Sequence, residues 1–320
     1  MFKKILNFTN PNGVIGLNQR NLELIYTKNK REDYKLADDK IITKNILHEA
    51  DIACAETYQV IYKIKDIENA WKNCQQYQSL AIKPANGSGG GGIMIVRKSK
   101  DGGWLNKGQA ISDHDIMHHI TSIVSGFFSR GDGDSCLIEE CIVPHHFFTE
   151  IYNEGVPDFR IITLNSKPLM AMLRMPTSKS GGMANLHQQG VGIGVDMKTG
   201  KLTEVYDGKT YSNYHPDSPK LVTGLEIPFW EEILDLSIKT SKAFPLKYLG
   251  IDLVIDKVKG PQIMEINVRP GLAIQMVNRC GLQQAREQHF IPTLQVKKRY
   301  KRILENATKW DHNLKSIKFF

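Results

Sequence analysis

Hydrophobic residues recur along this chain at two spacings, which mark two kinds of secondary structure. Apolar residues three and four positions apart predict amphipathic helices, and short apolar runs between turn residues predict strands. Helices are predicted within residues 17–32, 36–56, 66–78, 111–128 and 229–244, and again from residue 282 onward. Strands are predicted within residues 57–64, 79–85, 92–98, 135–143, 159–175 and 248–271.

Two of the strand segments contain internal turn signals and are predicted to form antiparallel hairpins. The first hairpin turns at Asn165–Ser166, and the second turns within DKVKG at residues 256–260. Helices alternate with these hairpins, which predicts an α+β fold rather than a doubly wound parallel sheet. Near residue 40, either Asp38 or Asp39 is expected to cap the following helix.

The composition is that of an ordinary globular protein, with 41% hydrophobic and 24% charged residues among 320. No apolar run approaches the ~20 residues that cross a bilayer. The N-terminus also lacks the apolar core of a signal peptide, so we expect a cytoplasmic protein. The five cysteines form no CxxC pair, which argues against a zinc site and against a disulfide framework.

The chain carries a formal net charge of +8, which permits anionic partners. Part of this excess lies in the run KKRYKR, Lys297–Arg302. A solvated helix face is the favoured interpretation of such a run. Contact with an acidic partner or a membrane surface is the alternative, and nucleic acid is not the expected partner.

The run AIKPANGSGGGGIMIV at residues 81–96 concentrates glycine between two apolar strands. Gly87, Gly89 and Gly92 match G-x-G-x-x-G, but a dinucleotide site needs a helix after the run, and here a strand follows. A glycine loop between strands can instead fold over a nucleotide and offer N–H groups to its phosphates. A protein kinase is disfavoured because Lys83 precedes the loop and the H-R-D and D-F-G motifs are absent. A flexible linker does not explain the flanking strands.

Three oxygen-bearing side chains lie in the hairpin predicted at residues 248–271. Glu265 and Asn267 are two positions apart and therefore share a face of their strand, and Asp252 lies on the paired strand. Carboxylate and amide oxygens suit Mg²⁺. A solvated hairpin edge is the alternative, and apolar neighbours argue against it because they predict a largely buried sheet. These neighbours are Leu253, Val254, Ile263 and Met264.

Four blocks of the chain, in order, resemble the ATP-grasp ligases. They are DDK at 38–40, IKPANGSGGGG at 82–92, LIEECI at 137–142 and GIDLVID…QIMEINVRPG at 250–271, and the resemblance covers residues 36–285. The region from PDFR to HQQG is most similar to RimK-like α-L-glutamate ligases. The chain is also similar to sugar-transfer-associated ATP-grasp proteins and, more distantly, to D-alanine–D-alanine ligases.

The resemblance implies a fold of two α+β subdomains that clasp ATP, with a reduced N-terminal domain. The ATP-grasp domain is then residues 40–285, with a glycine-loop subdomain at 40–140 and a metal and substrate subdomain at 141–285. A short helical segment would precede it at 1–39, and a basic helical tail would follow at 286–320.

The resemblance also implies roles for individual residues. Phosphate-binding lysines correspond to Lys40 and Lys83, with Lys44 as the alternative to Lys40. The phosphate-covering loop corresponds to Gly87, Ser88, Gly89, Gly90 and Gly91. The adenine-binding segment corresponds to Glu139, Glu140, Cys141 and Ile142, and Asp158 to a ribose-side or metal-side acid. The magnesium ligands correspond to Asp252, Glu265 and Asn267. Catalytic arginines correspond to Arg160, Arg174 and Arg269, and substrate contacts to Asn185, His187, Arg269 and Gly271.

Two departures from the family pattern bear on the substrate. Only 39 residues precede Lys40, whereas such ligases carry a full N-terminal domain that often helps to bind substrate. Glutamate ligases often place arginines beside the element NLH, where this chain has Met183 or Ala184 and Gln188. Glutamate therefore does not follow as the substrate.

The resemblance implies an ADP-forming ligase that joins a carboxylate to an amine through an acyl phosphate. Its cofactors would be ATP and Mg²⁺, with Mn²⁺ as an alternative metal. Its substrates would be small molecules or peptides, and a dimer is the expected assembly. Two other interpretations stay open: an ATP-grasp kinase or ligase that acts on a hydroxyl or sugar-linked substrate, and an ATP-binding regulatory protein.

Overall fold

The structure of the protein is a computed structural model that describes residues 12–87, 89–129 and 133–290. The predictions about Ser88 and about the basic run at 297–302 lie outside the described residues. None of the described helices has both the length and the apolar character that a bilayer crossing requires.

The described residues divide into two compact units. The larger unit comprises residues 16–279, and the smaller comprises residues 12–15 with residues 280–290. In the smaller unit, the N–H of Gly281 donates to the carbonyl of Asn12 at 2.7 Å. The predicted division of residues 40–285 into two subdomains stays a prediction.

The helices lie mostly where the apolar spacing predicts them. The first, α1, continues through a central π-helical stretch, so three consecutive pieces form one helix. The helices are α1 (Leu17–Arg20, Asn21–Ile25, Tyr26–Lys28), α2 (Lys35–Asp38), α3 (Lys40–Glu49), α4 (Ile67–Cys74), α5 (Asp113–Val124), α6 (His146–Thr149), α7 (Trp230–Ala243), α8 (Ala273–Val277) and α9 (Leu282–Phe290).

The strands form two antiparallel sheets within the described residues. The first sheet has the order β1-β6-β2-β3-β4-β5, and the second has the order β11-β10-β9-β8-β7-β12-β13. The strands of the first sheet are β1 (Thr57–Ile61), β2 (Ser79–Pro84), β3 (Met94–Lys98), β4 (Trp104–Asn106), β5 (Gln109–Ile111) and β6 (Cys136–Glu140). Those of the second are β7 (Asp158–Leu164), β8 (Lys167–Met175), β9 (Val191–Val195), β10 (Leu202–Tyr206), β11 (Tyr211–Ser212), β12 (Tyr248–Asp256) and β13 (Gly260–Asn267).

Helices pack against each of the two sheets. On the first sheet, α4 and α5 bury their apolar faces against strand residues such as Leu80 and Ile138. Burial of such aliphatic side chains stabilises the unit by ~1.5–3 kcal/mol each. On the second sheet, α7 contacts β7 and β8, where the hydroxyl of Thr163 donates to that of Ser241 at 3.2 Å.

Both predicted hairpins are confirmed. Asn165 and Ser166 adopt positive φ angles of 49° and 58°, which tight two-residue hairpin turns require, and they join β7 to β8. The second hairpin joins β12 to β13 and places Asp252 directly opposite Glu265. The prediction that Met264 is buried is wrong: a β-bulge after this pair turns Met264 outward, and it is 37% exposed.

The helix predicted near residue 40 is α3, and one non-helical residue, Asp39, separates it from α2. Asp39 caps α3, with Oδ1 accepting from the N–H groups of Ile41 at 2.8 Å and Ile42 at 3.1 Å. The buried face of α3 includes Thr43 and Lys44, which apolar spacing does not predict. Lys44 is buried because its ammonium reaches a buried carboxylate on β6.

Candidate active site

The buried carboxylate on β6 is Glu139, and it holds two of the predicted ATP-binding lysines. Only 1% of its side chain is exposed. Lys44 Nζ lies 2.8 Å from Glu139 Oε1, and Lys83 Nζ on β2 lies 2.5 Å from Glu139 Oε2. Lys44 also donates to the carbonyl of Ala55. Because one carboxylate faces two ammonium groups, this part of the site carries an excess of positive charge.

Burial and the two neighbouring ammonium groups shift the pKa of Glu139 in opposite directions. Burial alone would raise the pKa of Glu139, but Lys83 and Lys44 outweigh it and hold the pKa below its ordinary value. Burial lowers the pKa of Lys44, and the attraction of Glu139 only partly offsets that effect. Glu139 is therefore ionised at neutral pH and orients both lysines.

Lys40 lies between two other predicted parts of the site, the glycine-rich loop and a magnesium ligand. Its Nζ donates to the carbonyl of Gly87 at 2.7 Å and lies 3.5 Å from Glu265 Oε1. A small cleft is lined by Lys40, Lys44, Glu265 and their neighbours. The structure thus brings together a predicted phosphate-binding lysine, the glycine-rich loop and a predicted magnesium ligand.

The glycine-rich loop uses the backbone freedom that its sequence offers. Gly89 and Gly90 have φ angles of +65° and +80°, in the left-handed region that favours glycine. A Cβ atom at Gly90 would lie 2.2 Å from Met183 Cε, so the loop backbone lies close against the end of that side chain. Gly91 lies in the same turn.

Four charged side chains on adjacent strands of the second sheet form one buried cluster. Arg160 pairs with Asp252 through two hydrogen bonds, Nε to Oδ1 at 2.7 Å and Nη2 to Oδ2 at 2.6 Å. Arg174 donates from Nε to Asp158 Oδ1 at 2.5 Å and from Nη2 to Asp252 Oδ2 at 2.8 Å. Two guanidinium groups balance two carboxylates, so this cluster has no net charge.

The two carboxylates of the cluster have opposite pKa shifts. Burial raises the pKa of Asp158 to about 6, although Arg174 opposes the change. Burial would also raise the pKa of Asp252, but Arg160 and Arg174 outweigh it and hold that pKa below its ordinary value. Both carboxylates are therefore ionised at neutral pH, and Asp158 is the one that takes up a proton first as the pH falls.

The raised pKa of Asp158 predicts a pH dependence of stability. The native state binds this proton more tightly than the unfolded state, whose pKa is near 3.8, so the contribution to stability is present below pH 3.8 and is lost as pH rises to about 6. We expect the difference in unfolding free energy between wild type and Asp158→Asn to fall by on the order of 1–3 kcal/mol over this window. Urea unfolding of both proteins at several pH values measures it. A difference that rises or stays flat over the window would contradict the assignment.

The three predicted magnesium ligands lie together, in different surroundings. Asp252 is fully engaged by donors, because Asn267 Nδ2 also donates to its Oδ2 at 3.2 Å. The side chain of Glu265 is 37% exposed, and its ion-pair partner among the described residues is Lys40, at 3.5 Å. Among the described residues, no group of three His, Cys, Asp or Glu side chains is placed to hold a metal ion.

The third predicted arginine lies apart from the cluster. Arg269 Nη1 lies 3.1 Å from Asp38 Oδ2, and its guanidinium stacks over Tyr34 with 4.9 Å to the ring centroid. Its side chain is 51% exposed. Gly271 lies two residues after Arg269, beyond the end of β13. A Cβ atom at Gly271 would have no neighbour among the described atoms within 4 Å.

The predicted substrate residues Asn185 and His187 differ in their contacts. Asn185 Oδ1 accepts from Arg174 Nη1 at 2.8 Å and so belongs to the edge of the charged cluster. His187 lies in a short 3₁₀ turn, Leu186–Gln188, and is exposed. Asn185 is therefore placed to orient Arg174, and His187 is open to solvent.

The predicted adenine segment comprises the last two residues of β6 and the two residues after it, and it is anchored at both ends. Glu140 Oε2 accepts from Lys259 Nζ at 2.6 Å, and the N–H of Val143 donates to Asp256 Oδ2 at 2.9 Å. Cys141 is buried, with its Sγ 3.8 Å from Arg97 Nη2. Ile142 lies between these anchored positions and is half-buried.

Sequence reasoning missed two residues that hold the glycine-rich loop. His119 Nε2 lies 2.9 Å from the carbonyl of Gly92, and a Cβ atom at Gly92 would lie 2.7 Å from Phe128 Cγ. Both residues are on or after α5, far along the chain from the loop. No local spacing links them to it, so the sequence contains no signal for these contacts.

A family model now identifies the chain. The model of the sugar-transfer associated ATP-grasp family matches residues 19–290, which include both sheets and every described residue of the candidate site. The chain belongs to this family. The predicted ATP-grasp fold is thereby confirmed, and the particular resemblance to RimK-like glutamate ligases stays a prediction.

Solved structures similar to this ATP-grasp protein are distant in sequence. D-alanine–D-alanine ligase from Bacillus anthracis, complexed with ATP, is 16% identical over 83% of this chain and 68% of that chain, with a TM-score of 0.46. Biotin carboxylase from Campylobacter jejuni is 15% identical over 78% and 45%, with a TM-score of 0.49. VanG D-Ala:D-Ser ligase from Enterococcus faecalis is 14% identical over 78% and 60%, with a TM-score of 0.45. A search of curated proteins finds no match.

Proposed function

We propose that this ATP-grasp protein is an ATP- and Mg²⁺-dependent ligase that joins a carboxylate to an amine through an acyl phosphate. The observation that carries the proposal is the position of Lys40, whose Nζ is 2.7 Å from a glycine-loop carbonyl and 3.5 Å from Glu265. Family membership supports ATP as the nucleotide. The substrates would be small molecules or peptides.

The proposed chemistry needs positive charge and fixed geometry more than a protein nucleophile. Phosphoryl transfer depends mainly on positioning and on neutralising the phosphate oxygens. Lys40 and Lys83 would neutralise these oxygens, and the N–H groups of the glycine-rich loop would hold them. Glu139 sets the position of Lys83 because it accepts from that ammonium at 2.5 Å.

The residues present fit a magnesium ion at the second sheet. Glu265 and Asn267 would offer oxygens to the ion, and Asp252 would contribute its carboxylate, which now accepts from Arg160 and Arg174. Bound Mg²⁺ would supply charge neutralisation between phosphate oxygens. The proposal requires Asp252 to give up part of its contact with Arg160 or Arg174, and a released guanidinium is then free to bind a phosphate oxygen.

The reaction would proceed in two steps. A carboxylate oxygen attacks the γ-phosphorus of ATP, the bond to the β,γ-bridging oxygen breaks, and ADP leaves with an acyl phosphate formed. An amine nitrogen then attacks the acyl carbon, phosphate leaves, and the nitrogen gives up a proton to yield the amide. Arg174, held by Asp158 and Asn185, would stabilise the oxyanion of the second step.

Product analysis tests this function. The purified protein is incubated with ATP, Mg²⁺ and a panel of carboxylates paired with amines, and the products are separated by mass. We expect ADP, phosphate and a new amide in equal amounts. ADP with a phosphorylated acceptor and no free phosphate would instead identify a kinase, and nucleotide binding with no product from the panel would favour a regulatory protein.

One observation favours a second candidate function. The family is described as sugar-transfer associated, which supports a hydroxyl or sugar-linked acceptor in place of an amine. The positions beside Asn185 are Met183 and Gln188, which are neutral and do not select for an acidic amino acid. Sugar-linked acceptors therefore belong in the same panel, and an ester product would distinguish this function.

A further inference from the structure

The glycine-rich loop is held by side chains from two different parts of the chain. On one side, Lys40 donates to Gly87, and His119 contacts the carbonyl of Gly92 at 2.9 Å. On the other side, Gln188 Nε2 donates to the carbonyl of Gly89 at 3.1 Å. The loop is thus contacted by the segment at 183–188 as well as by residues of α3 and α5.

Met183 makes the second contact from this segment. Gly90 comes so close to Met183 that a Cβ atom at Gly90 would lie 2.2 Å from Met183 Cε. The contact is apolar, and it lies one residue along the loop from the Gln188 hydrogen bond. The two contacts therefore support the turn at two adjacent residues, Gly89 and Gly90.

The segment at 183–188 ends in a turn whose backbone is held by hydrogen bonds within the turn. Gln189 closes the 3₁₀ turn in the left-handed region at φ 66°, and its carbonyl accepts from Thr177 Oγ1 at 2.8 Å. At Gly190 an added Cβ atom would lie 2.7 Å from the backbone of Ala184. These contacts constrain the backbone that carries the Gln188 side chain.

The same segment also contacts the charged cluster. Asn185 lies between Met183 and Gln188, and its Oδ1 accepts from Arg174 Nη1 at 2.8 Å. Arg174 in turn pairs with Asp158 and Asp252. A continuous path of contacts therefore runs from the loop through six residues of one short segment to the arginine and carboxylate cluster.

We propose that Met183 and Gln188 are positioning residues that hold the glycine-rich loop in register with Arg174. This inference rests on the proposed function, because it assumes that the loop covers ATP phosphates. Both contacts are neutral, so they orient the loop without competing with Lys40 and Lys83 for phosphate charge.

The Gln188→Glu variant tests the hydrogen bond without changing the length of the side chain. A carboxylate cannot donate to the carbonyl of Gly89, so we expect hydrogen–deuterium exchange of the loop to become roughly fivefold faster, the effect of one neutral hydrogen bond. The readout is a peptide covering residues 85–98, which includes the Ile93 amide bonded to Gly90. The matched control is Gln189→Asn, because residue 189 is exposed and asparagine tolerates its left-handed backbone.

The Met183 variants test the apolar contact separately. Met183→Ala should also speed exchange of the loop, whereas Met183→Leu, which keeps the apolar volume, should restore the wild-type rate. Circular dichroism and the melting temperature check that each variant is folded. Unchanged exchange in both Gln188→Glu and Met183→Ala would overturn the proposal.

A non-hydrolysable ATP analogue with Mg²⁺ separates this inference from the proposed function. We expect Met183→Ala, which adds no charge beside the phosphates, to bind the analogue roughly fivefold more weakly than wild type, since it loses one contact that holds the loop. Faster exchange with unchanged analogue affinity would overturn the positioning role. If wild type binds no analogue while the exchange differences persist, the loop contacts stand and the proposed function fails.

Discussion

Replacing Arg174 with methionine is expected to lower the free energy of unfolding by about 3–5 kcal/mol. The guanidinium of Arg174 is the only group that bridges Asp158 and Asp252 among the described residues, and all three side chains are buried. Its removal leaves Asp158 without an ion-pair partner in the described part of the chain. Chemical denaturation of the wild type and Arg174→Met measures the loss.

A matched arginine provides the control for this prediction. Arg279 pairs with Glu204 at 3.1 Å, but its side chain is 55% exposed, so Arg279→Met should cost less than about 1 kcal/mol. The double variant Arg174→Met, Asp158→Asn should recover part of the loss, because it removes the unpaired carboxylate. Equal losses for the two arginine variants would show that burial does not govern the energy of this cluster.

The double variant Glu265→Ala, Asn267→Ala is expected to weaken Mg²⁺-dependent binding of an ATP analogue by about 100-fold or more. Each side chain offers an oxygen to the proposed ion, and two charge-assisted contacts are together worth roughly 3 kcal/mol or more. Calorimetry with and without Mg²⁺ measures the effect. In the absence of the metal, the variant and the wild type should bind the analogue with similar affinity.

Glu226→Ala is the control for that measurement, because Glu226 forms an exposed ion pair with Lys201 at 3.2 Å, outside the candidate site. It should bind the analogue as wild type does. If the double variant also binds as wild type does, Glu265 and Asn267 are not the metal ligands. If it loses binding equally with and without Mg²⁺, the two residues contact the nucleotide or support the fold.

The sequence predicts local features of the fold well because local residues determine them. Asn165–Ser166 and the run at 256–260 are turn residues between apolar strands, and both hairpins form there. Asp39 caps α3 because an aspartate before a helix can accept from its first N–H groups. The glycine-rich loop lies between two strands because its flanks are apolar on both sides.

Pairings between distant charges could not be predicted in the same way. Asp252 meets Arg160 because β12 pairs with β7, and Asp158 lies opposite Arg174 because β7 pairs with β8. Local spacing defines each strand, whereas the order of strands in the sheet depends on packing over the whole unit. The motif predicts that Glu139 contacts adenine. Its contact with Lys83 depends on the pairing of β6 with β2, and its contact with Lys44 joins β6 to α3.

The transfer of a carboxylate oxygen to phosphate tests the central claim most directly. The accepted carboxylate is labelled with oxygen-18, incubated with ATP, Mg²⁺ and the amine, and the released phosphate is analysed by mass. An acyl phosphate keeps the attacking carboxylate oxygen on phosphorus when the amine displaces phosphate, so the account predicts one labelled oxygen in each phosphate. Unlabelled phosphate, or label found only in a phosphorylated product, would contradict it.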